Sequence, residues 1–209
     1  MKTAVCIGTG PSLTMDQLEA ARDHGFALYA CNNAIFLAPD AELLYSVNKA
    51  WWDHYYEMVK DYRCEKWTTN PEAARAYNLS WIAEKNAKGL STNPDYIHHG
   101  HGSGYSLVSM AHKKGYERII LIGYDLKYAP DYDPGNRNPG STPRHFFNGG
   151  EYPPSMQHWP SVSIKNGVHI ELVDLYRSIA EQGLVELVNC TPGSALESVI
   201  GYEDVRAVR

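Results

Sequence analysis

The first thirteen residues restrict the fold more than any other segment. Thr3 to Ile7 is a short apolar run that meets Gly8-Thr9-Gly10-Pro11-Ser12-Leu13, and Met15 to His24 then places apolar residues at helical spacing until Gly25 stops them. Strand, glycine turn and helix, in that order, open a parallel α/β sheet. Glycines let the backbone of such a turn approach an anion closely, and the helix that follows aims free N–H groups and its positive dipole end at it. Ser12 is placed to cap that helix or to donate to a phosphate. The turn lacks the third glycine of the dinucleotide fingerprint and the GKS/T ending of a P-loop, so neither NAD nor a Walker-type nucleotide is indicated. A plain tight turn with a serine cap would use the same residues.

The alternation continues along the chain. Phe26 to Cys31 and Leu43 to Val47 read as strands, closed by Asn32-Asn33 and by Asn48. Residues 51–88, rich in Trp, Tyr and Ala, read as helix mixed with irregular structure, with room for a helical insert. Beyond the His- and Gly-rich stretch at 98–104, Tyr105 to Lys114 fits an amphipathic helix. Arg118 to Ile122 is the nearly continuous apolar run of a strand buried on both faces, and Gly123-Tyr124-Asp125 ends it. Residues 127–160 are dense in Pro, Gly, Asn, Asp and aromatics and read as a long lid-like loop. His169 to Gln182 returns to helical spacing, Val185 to Asn189 is the last strand, and Thr191-Pro192-Gly193-Ser194 opens a short closing helix. The expectation is one Rossmann-like domain over 1–209: a doubly wound, mainly parallel sheet with helices on both faces. Its ligand should lie beyond the carboxyl ends of the strands.

Composition narrows the partners. The 209 residues carry a formal net charge of −5, and no run of Lys or Arg exceeds Lys113-Lys114, so general binding to nucleic acid phosphates is not expected. Hydrophobic residues make up 44% and charged residues 21%, an ordinary globular balance far from that of disordered chains. No stretch approaches the ~20 apolar residues that cross a bilayer, and the first ten residues are too short and wrongly flanked for a signal peptide. Cys6, Cys31, Cys64 and Cys190 show no CxxC spacing and read as thiols of a reducing, cytoplasmic compartment.

Several polar clusters fall at strand ends. The amides of Asn32 and Asn48 can hydrogen-bond a ribose or a base, though asparagine serves turns equally well. In His98-His99-Gly100-His101-Gly102-Ser103-Gly104 the three histidines suggest a metal, yet no Cys or acidic ligand accompanies them at a recognised spacing. A second phosphate or sugar loop, with Ser103 and Gly104 donating at the start of the Tyr105 helix, fits better. The lid holds Lys127, Tyr128, Tyr132, Arg137, Arg144, His145 and His158, cations and phenols able to offset charge on a leaving nucleotide without a metal. Asp131 and Asp133 are only a weak match to the acidic couple of metal-dependent sugar transferases.

Taken together, G-x-G-P-S-L, then C-N-N, G-S-G-Y, I-I-L-I-G-Y-D-L and N-C-T-P-G-S-A-L resemble the family-42 sialyltransferases and the related MptE-like (6-hydroxymethylpterin diphosphokinase-like) proteins over nearly the whole chain. The resemblance implies a CMP-sugar bound on a Rossmann-like core without metal. It implies that Gly8, Gly10, Pro11 and Ser12 approach the phosphate and ribose and that Asn32 and Asn48 contact nucleotide and sugar. Ser103 and Gly104 would hold the donor carboxylate or phosphate, Asp125 would fix the site geometry, and the turn from Thr191 to Ser194 would complete the pocket. Lys127 stands where the family places a phosphate-stabilising tyrosine, with Tyr128 beside it and Tyr132 in the place of a second one. By position the family's general base points to His158, with His169 as the other choice.

Three functions follow as expectations. The first is a metal-independent glycosyltransferase with a nucleotide-sugar donor, a CMP-sugar foremost, and a glycan or small-molecule hydroxyl acceptor, needing no cofactor. The second is a Mg²⁺-dependent diphosphokinase of a small heterocyclic alcohol, in which Asp125, Asp131 and Asp133 become metal-ligand candidates. The third is a nucleotide-binding protein without turnover. A homo-oligomer is compatible with each.

Overall fold

The computed structural model describes residues 1–100, 102–127, 164–165 and 168–208. Its elements are, in order, β1 (Thr3–Ile7), α1 (Met15–Asp23), β2 (Ala27–Cys31), β3 (Leu43–Tyr45), α2 (Lys49–Val59), β4 (Glu65–Thr68), α3 (Pro71–Tyr77) and β5 (Ser80–Trp81). There follow β6 (Ala83–Lys85), β7 (Tyr96–His98), α4 (Ser103–Lys113), β8 (Arg118–Ile122), β9 (Ile164–Lys165), β10 (Val168–His169), α5 (Ile170–Gln182) and β11 (Glu186–Asn189). Seven strands form one sheet in the order β11-β8-β1-β2-β3-β4-β5, and every neighbouring pair in it runs parallel. β6 pairs with β7, and β9 with β10, in two small separate sheets.

Alternation along each strand divides the apolar residues between two faces, and a core forms on each. Val5 and Ile7 of β1 and Ile120 and Ile122 of β8 pack with Leu18 and Ala21 of α1 and with Trp51, Trp52, Tyr55 and Val59 of α2. On the other face Ala4, Cys6, Ile119 and Leu121 meet Leu107 and Met110 of α4 and Leu175, Tyr176 and Ile179 of α5. β1 and β8 are therefore covered on both sides, as their unbroken apolar runs require. Each large side chain so buried contributes about 1.5–3 kcal/mol.

The helices begin where side chains satisfy their first amides. Thr14 caps α1 through a box in which its hydroxyl accepts from the Gln17 amide while Gln17 accepts from the Thr14 amide. Asn70 caps α3, accepting from the amides of Glu72 and Ala73, with Pro71 at the first helical position. Cap and proline together start this seven-residue helix abruptly after β4.

Residues 51–88 depart from the expected helical insert. They complete α2 and supply β4, α3, β5 and β6, and β4 and β5 extend the main sheet by pairing with β3 and with each other. These strands escape a periodicity reading because they are short and largely polar outward, as edge strands are. The closing segment is a 3₁₀ helix, Ala195–Ser198, capped by Ser194, and beyond it Val205 and Val208 join the core beside α1. All four cysteines are buried free thiols. No helix among the described residues is long and apolar enough to cross a membrane. The expected lid beyond Lys127 lies outside the described residues.

Candidate functional site

In the sheet order, β2 to β5 extend to one side of β1, whereas β8 and β11 extend to the other. The reversal puts a topological switch point between β1 and β8, where parallel α/β sheets open a crevice at their carboxyl edge. The turns that meet there are Gly8–Leu13 after β1 and Gly123–Lys127 after β8.

These two turns are bonded to each other. The Gly8 amide donates to Ile122 O and the Gly10 amide to Gly123 O, each at 2.8 Å, which carries the β1–β8 ladder past the strand ends. A Cβ on Gly8 would stand 2.4 Å from Gly123 O, and one on Gly10 would stand 1.8 Å from Asp125 Oδ2. Both positions are glycine because the neighbouring turn fills the space. The Leu13 amide donates to Gly10 O at 3.1 Å. The Ser12 amide and hydroxyl both donate to Asp125, at 3.3 Å to Oδ1 and 2.8 Å to Oδ2. The amides of Gly8, Gly10, Ser12 and Leu13 are spent inside the protein, Pro11 has none, and Thr14 rather than Ser12 caps α1. The signal for that cap, threonine followed three residues on by glutamine, was present in the sequence.

A glycine stands at the N-terminus of α4. Gly102 occupies its cap position without a side-chain bond. Ser103 Oγ accepts from the Val47 amide just past β3 at 3.3 Å, and the Tyr124 hydroxyl donates to Gly104 O at 3.1 Å. The start of α4 is thus held between the ends of β3 and β8. Tyr124 is 3% exposed and was not expected in the site; it fixes α4 against the switch point.

Asn32 ends β2 in the left-handed region, φ 49°, and its Oδ1 is buried with no partner among the described residues. Asn33 next to it is structural, accepting from Trp51 Nε1 at 2.7 Å and donating to the Tyr55 hydroxyl at 3.2 Å. Asn48 stands at the cap position of α2, yet its side chain makes no capping bond. Ser46, one strand over from Asn32, is fully buried, with a hydroxyl that finds no partner among the described residues. Sequence reasoning passed over it because a serine in a strand carries no signal of its own.

Thr191 and Ser194 serve the fold through their hydroxyls. Thr191 Oγ1 accepts from the Tyr124 amide at 3.0 Å and donates to Leu121 O at 3.2 Å, while Ser194 Oγ donates to Tyr124 O at 2.6 Å. They tie the turn after β11 to the turn after β8.

Lys127 pairs as an isolated bridge with Val168, and the His169 amide donates to Leu126 O at 3.0 Å. His169 is therefore brought beside the turn after β8. Lys127 Nζ reaches to 3.8 Å from where a Cβ of Gly193 would stand. Burial lowers the pKa of His169 and favours its neutral form. Burial raises the pKa of Asp125, opposed by its bonds from Ser12 and by the charge of Lys127.

Tyr128, Tyr132 and His158 lie outside the described residues, as do Asp131, Asp133, Arg137, Arg144, His145 and His101. His98 and His99 hold the small β6–β7 sheet in place. His98 Nδ1 lies 3.1 Å from the carbonyls of Lys88 and Gly89, and His99 Nδ1 lies 3.2 Å from Glu84 Oε2. Among the described residues no three His, Cys, Asp or Glu side chains gather as a metal site.

No protein-family model matches the sequence, and no curated protein sequence does. Solved structures do match. The sialyltransferase CstII from Campylobacter jejuni in complex with a substrate analogue, CMP-3FNeuAc, superposes with a TM-score of 0.60 at 15% identity, over 100% of this chain and 89% of that one. The same enzyme with cytidine-5'-monophosphate gives a TM-score of 0.57 at 16% identity, covering 100% and 88%. CstII with a trisaccharide acceptor and CMP gives 0.55 at 14% identity, covering 100% and 89%. Over its described residues this chain has the Rossmann-like fold of the sialyltransferase CstII.

Proposed function

We propose that the chain is a glycosyltransferase that moves a sugar from a nucleotide donor, a CMP-sugar foremost, to a hydroxyl acceptor without a metal ion. One observation carries the reading. It is supported by a fold shared with an enzyme solved with CMP and a trisaccharide acceptor, in which the turn after β8 is bonded to the start of α4 through Gly104 and has Lys127 and His169 on or beside it.

The amides at Ser103 and Gly104 take the donor's phosphate or carboxylate, aided by the helix dipole. This moves the anion from the glycine turn, where the amides of Gly8, Gly10, Ser12 and Leu13 are committed, to α4. Asn32, through its buried Oδ1, and Asn48 meet the nucleotide and sugar, over a floor formed by Gly8, Gly10, Pro11 and Ser12. The acceptor oxygen attacks the anomeric carbon, the bond from that carbon to the phosphate oxygen breaks, and the electron pair leaves with the nucleotide. Lys127 offsets the charge gathering on that phosphate, with Tyr128 and Tyr132 assigned the same task by resemblance. His169, held neutral by burial, accepts the acceptor's proton; His158 is the alternative base. The four buried thiols suit a cytoplasmic setting.

Incubation with CMP-, UDP-, GDP- and TDP-sugars, read as nucleotide release with and without a chelator, tests the proposal. Release from a CMP-sugar that survives chelation is expected. Silence across all donors removes the glycosyltransferase, and Mg²⁺-dependent AMP formation from ATP would establish the diphosphokinase in its place. Tight nucleotide binding without turnover, unchanged in His158→Ala and His169→Ala, would mark a binding protein.

A further inference from the structure

Asp125 has both carboxylate oxygens on one partner. Oδ2 accepts from the Ser12 hydroxyl at 2.8 Å and Oδ1 from the Ser12 amide at 3.3 Å. The same Oδ2 stands where a side chain on Gly10 would begin, at 1.8 Å from an added Cβ. The carboxylate is thus directed at the turn after β1. Its own main chain is anchored independently: Asp125 O accepts from the Ala195 amide at 2.9 Å, and Tyr124 before it is held by Thr191 and Ser194. One residue therefore joins the turn after β1 by its side chain to the turn after β11 by its backbone.

We propose that Asp125 is a positioning residue that sets the shape of the donor-binding turn through Ser12 and does not itself touch the ligand. The proposal rests on the donor site described above. It gives the expectation that Asp125 fixes the site geometry a specific partner, Ser12. Ser12 belongs to the clamp: with its hydroxyl and amide both turned to Asp125, it orients the turn instead of donating to phosphate.

The geometry makes the two residues one unit, so their effects should not multiply. Ser12→Ala, Asp125→Asn, Asp125→Ala and the double variant Ser12→Ala/Asp125→Ala would be compared by amide hydrogen exchange of the ligand-free protein, by CMP titration in a calorimeter, and by donor KM and kcat. Exchange at the Ser12 amide is expected to accelerate at least tenfold in Asp125→Ala with the amides of β1 and β8 unchanged, and less in Asp125→Asn, whose Oδ1 still accepts. CMP affinity and donor KM should worsen in Asp125→Ala while kcat moves little, and the double variant should match Asp125→Ala alone. An unchanged Ser12 exchange rate overturns the clamp, as does a double variant whose loss equals the product of the two single losses. Should the wild type bind no CMP, the donor reading fails, and the exchange measurement still decides the clamp. If Asp125→Ala does not fold, Ser12→Ala against Asp125→Asn supplies the same comparison.

Discussion

At the scale of single residues, Gly10 shows how little freedom the switch point leaves. Its added Cβ would strike both Asp125 Oδ2 and Gly123 O, at 1.8 and 2.7 Å, and the second of these is backbone that cannot swing aside. Gly10→Ala should cost about 1–3 kcal/mol in urea unfolding, the usual range for overpacking, and weaken CMP binding with it. His169 offers a test through pH. Its folded pKa lies below the ordinary 6.5, so its contribution to stability is present above that value and is lost as pH falls through the folded pKa. The melting temperature of wild type should therefore fall relative to that of His169→Gln as pH drops below 6.5. Donor turnover, if His169 is the base, should be lost in the variant at every pH. The glycines at 8 and 10 were legible in the sequence as a special turn, but their reason was not: what excludes a Cβ is a carbonyl and a carboxylate more than a hundred residues away.

At the scale of elements, the ends of β1, β8 and β11 are joined by backbone bonds that prolong the ladder and, between β8 and β11, by side-chain bonds to backbone as well. Thr191 is the central one, accepting from the buried Tyr124 amide and donating to Leu121 O. Thr191→Val keeps the shape and removes both bonds, leaving the buried Tyr124 amide without its acceptor, while Leu121 O keeps its bond from the Cys190 amide. The expected cost is about 1–3 kcal/mol, measured as a lowered denaturant midpoint with an unchanged slope. The strands β1, β2 and β8 and the helices α1, α4 and α5 were readable because their apolar spacing is strong. β4 and β5 were not, since Glu65-Lys66-Trp67-Thr68 and Ser80-Trp81 carry no apolar alternation. Their strand form comes from the sheet edge each one meets, that of β3 for β4 and that of β4 for β5, which offers unpaired amides and carbonyls to an extended segment beside it.

At the scale of the whole molecule, the shared sheet couples the two cores. Ile120 faces one and Leu121 the other, and both are fully buried. Ile120→Ala and Leu121→Ala should each cost about 2–5 kcal/mol, and each should lower one common transition, because neither core persists once the strand between them is lost. Coincident unfolding by tryptophan fluorescence, to which Trp51 and Trp52 in one core and Trp67 against the other contribute, and by far-ultraviolet circular dichroism would confirm the coupling; separate transitions would refute it. By itself the sequence determined the alternation of strand and helix, the doubly buried strands and the gathering of polar residues at strand ends, because each follows from local spacing and local turn chemistry. Only the tertiary structure decided that the glycine turn spends its amides on β8, that Asp125 grips Ser12, and that His169 stands beside Leu126. Those facts depend on which strands become neighbours, and that is settled by the packing of both faces at once.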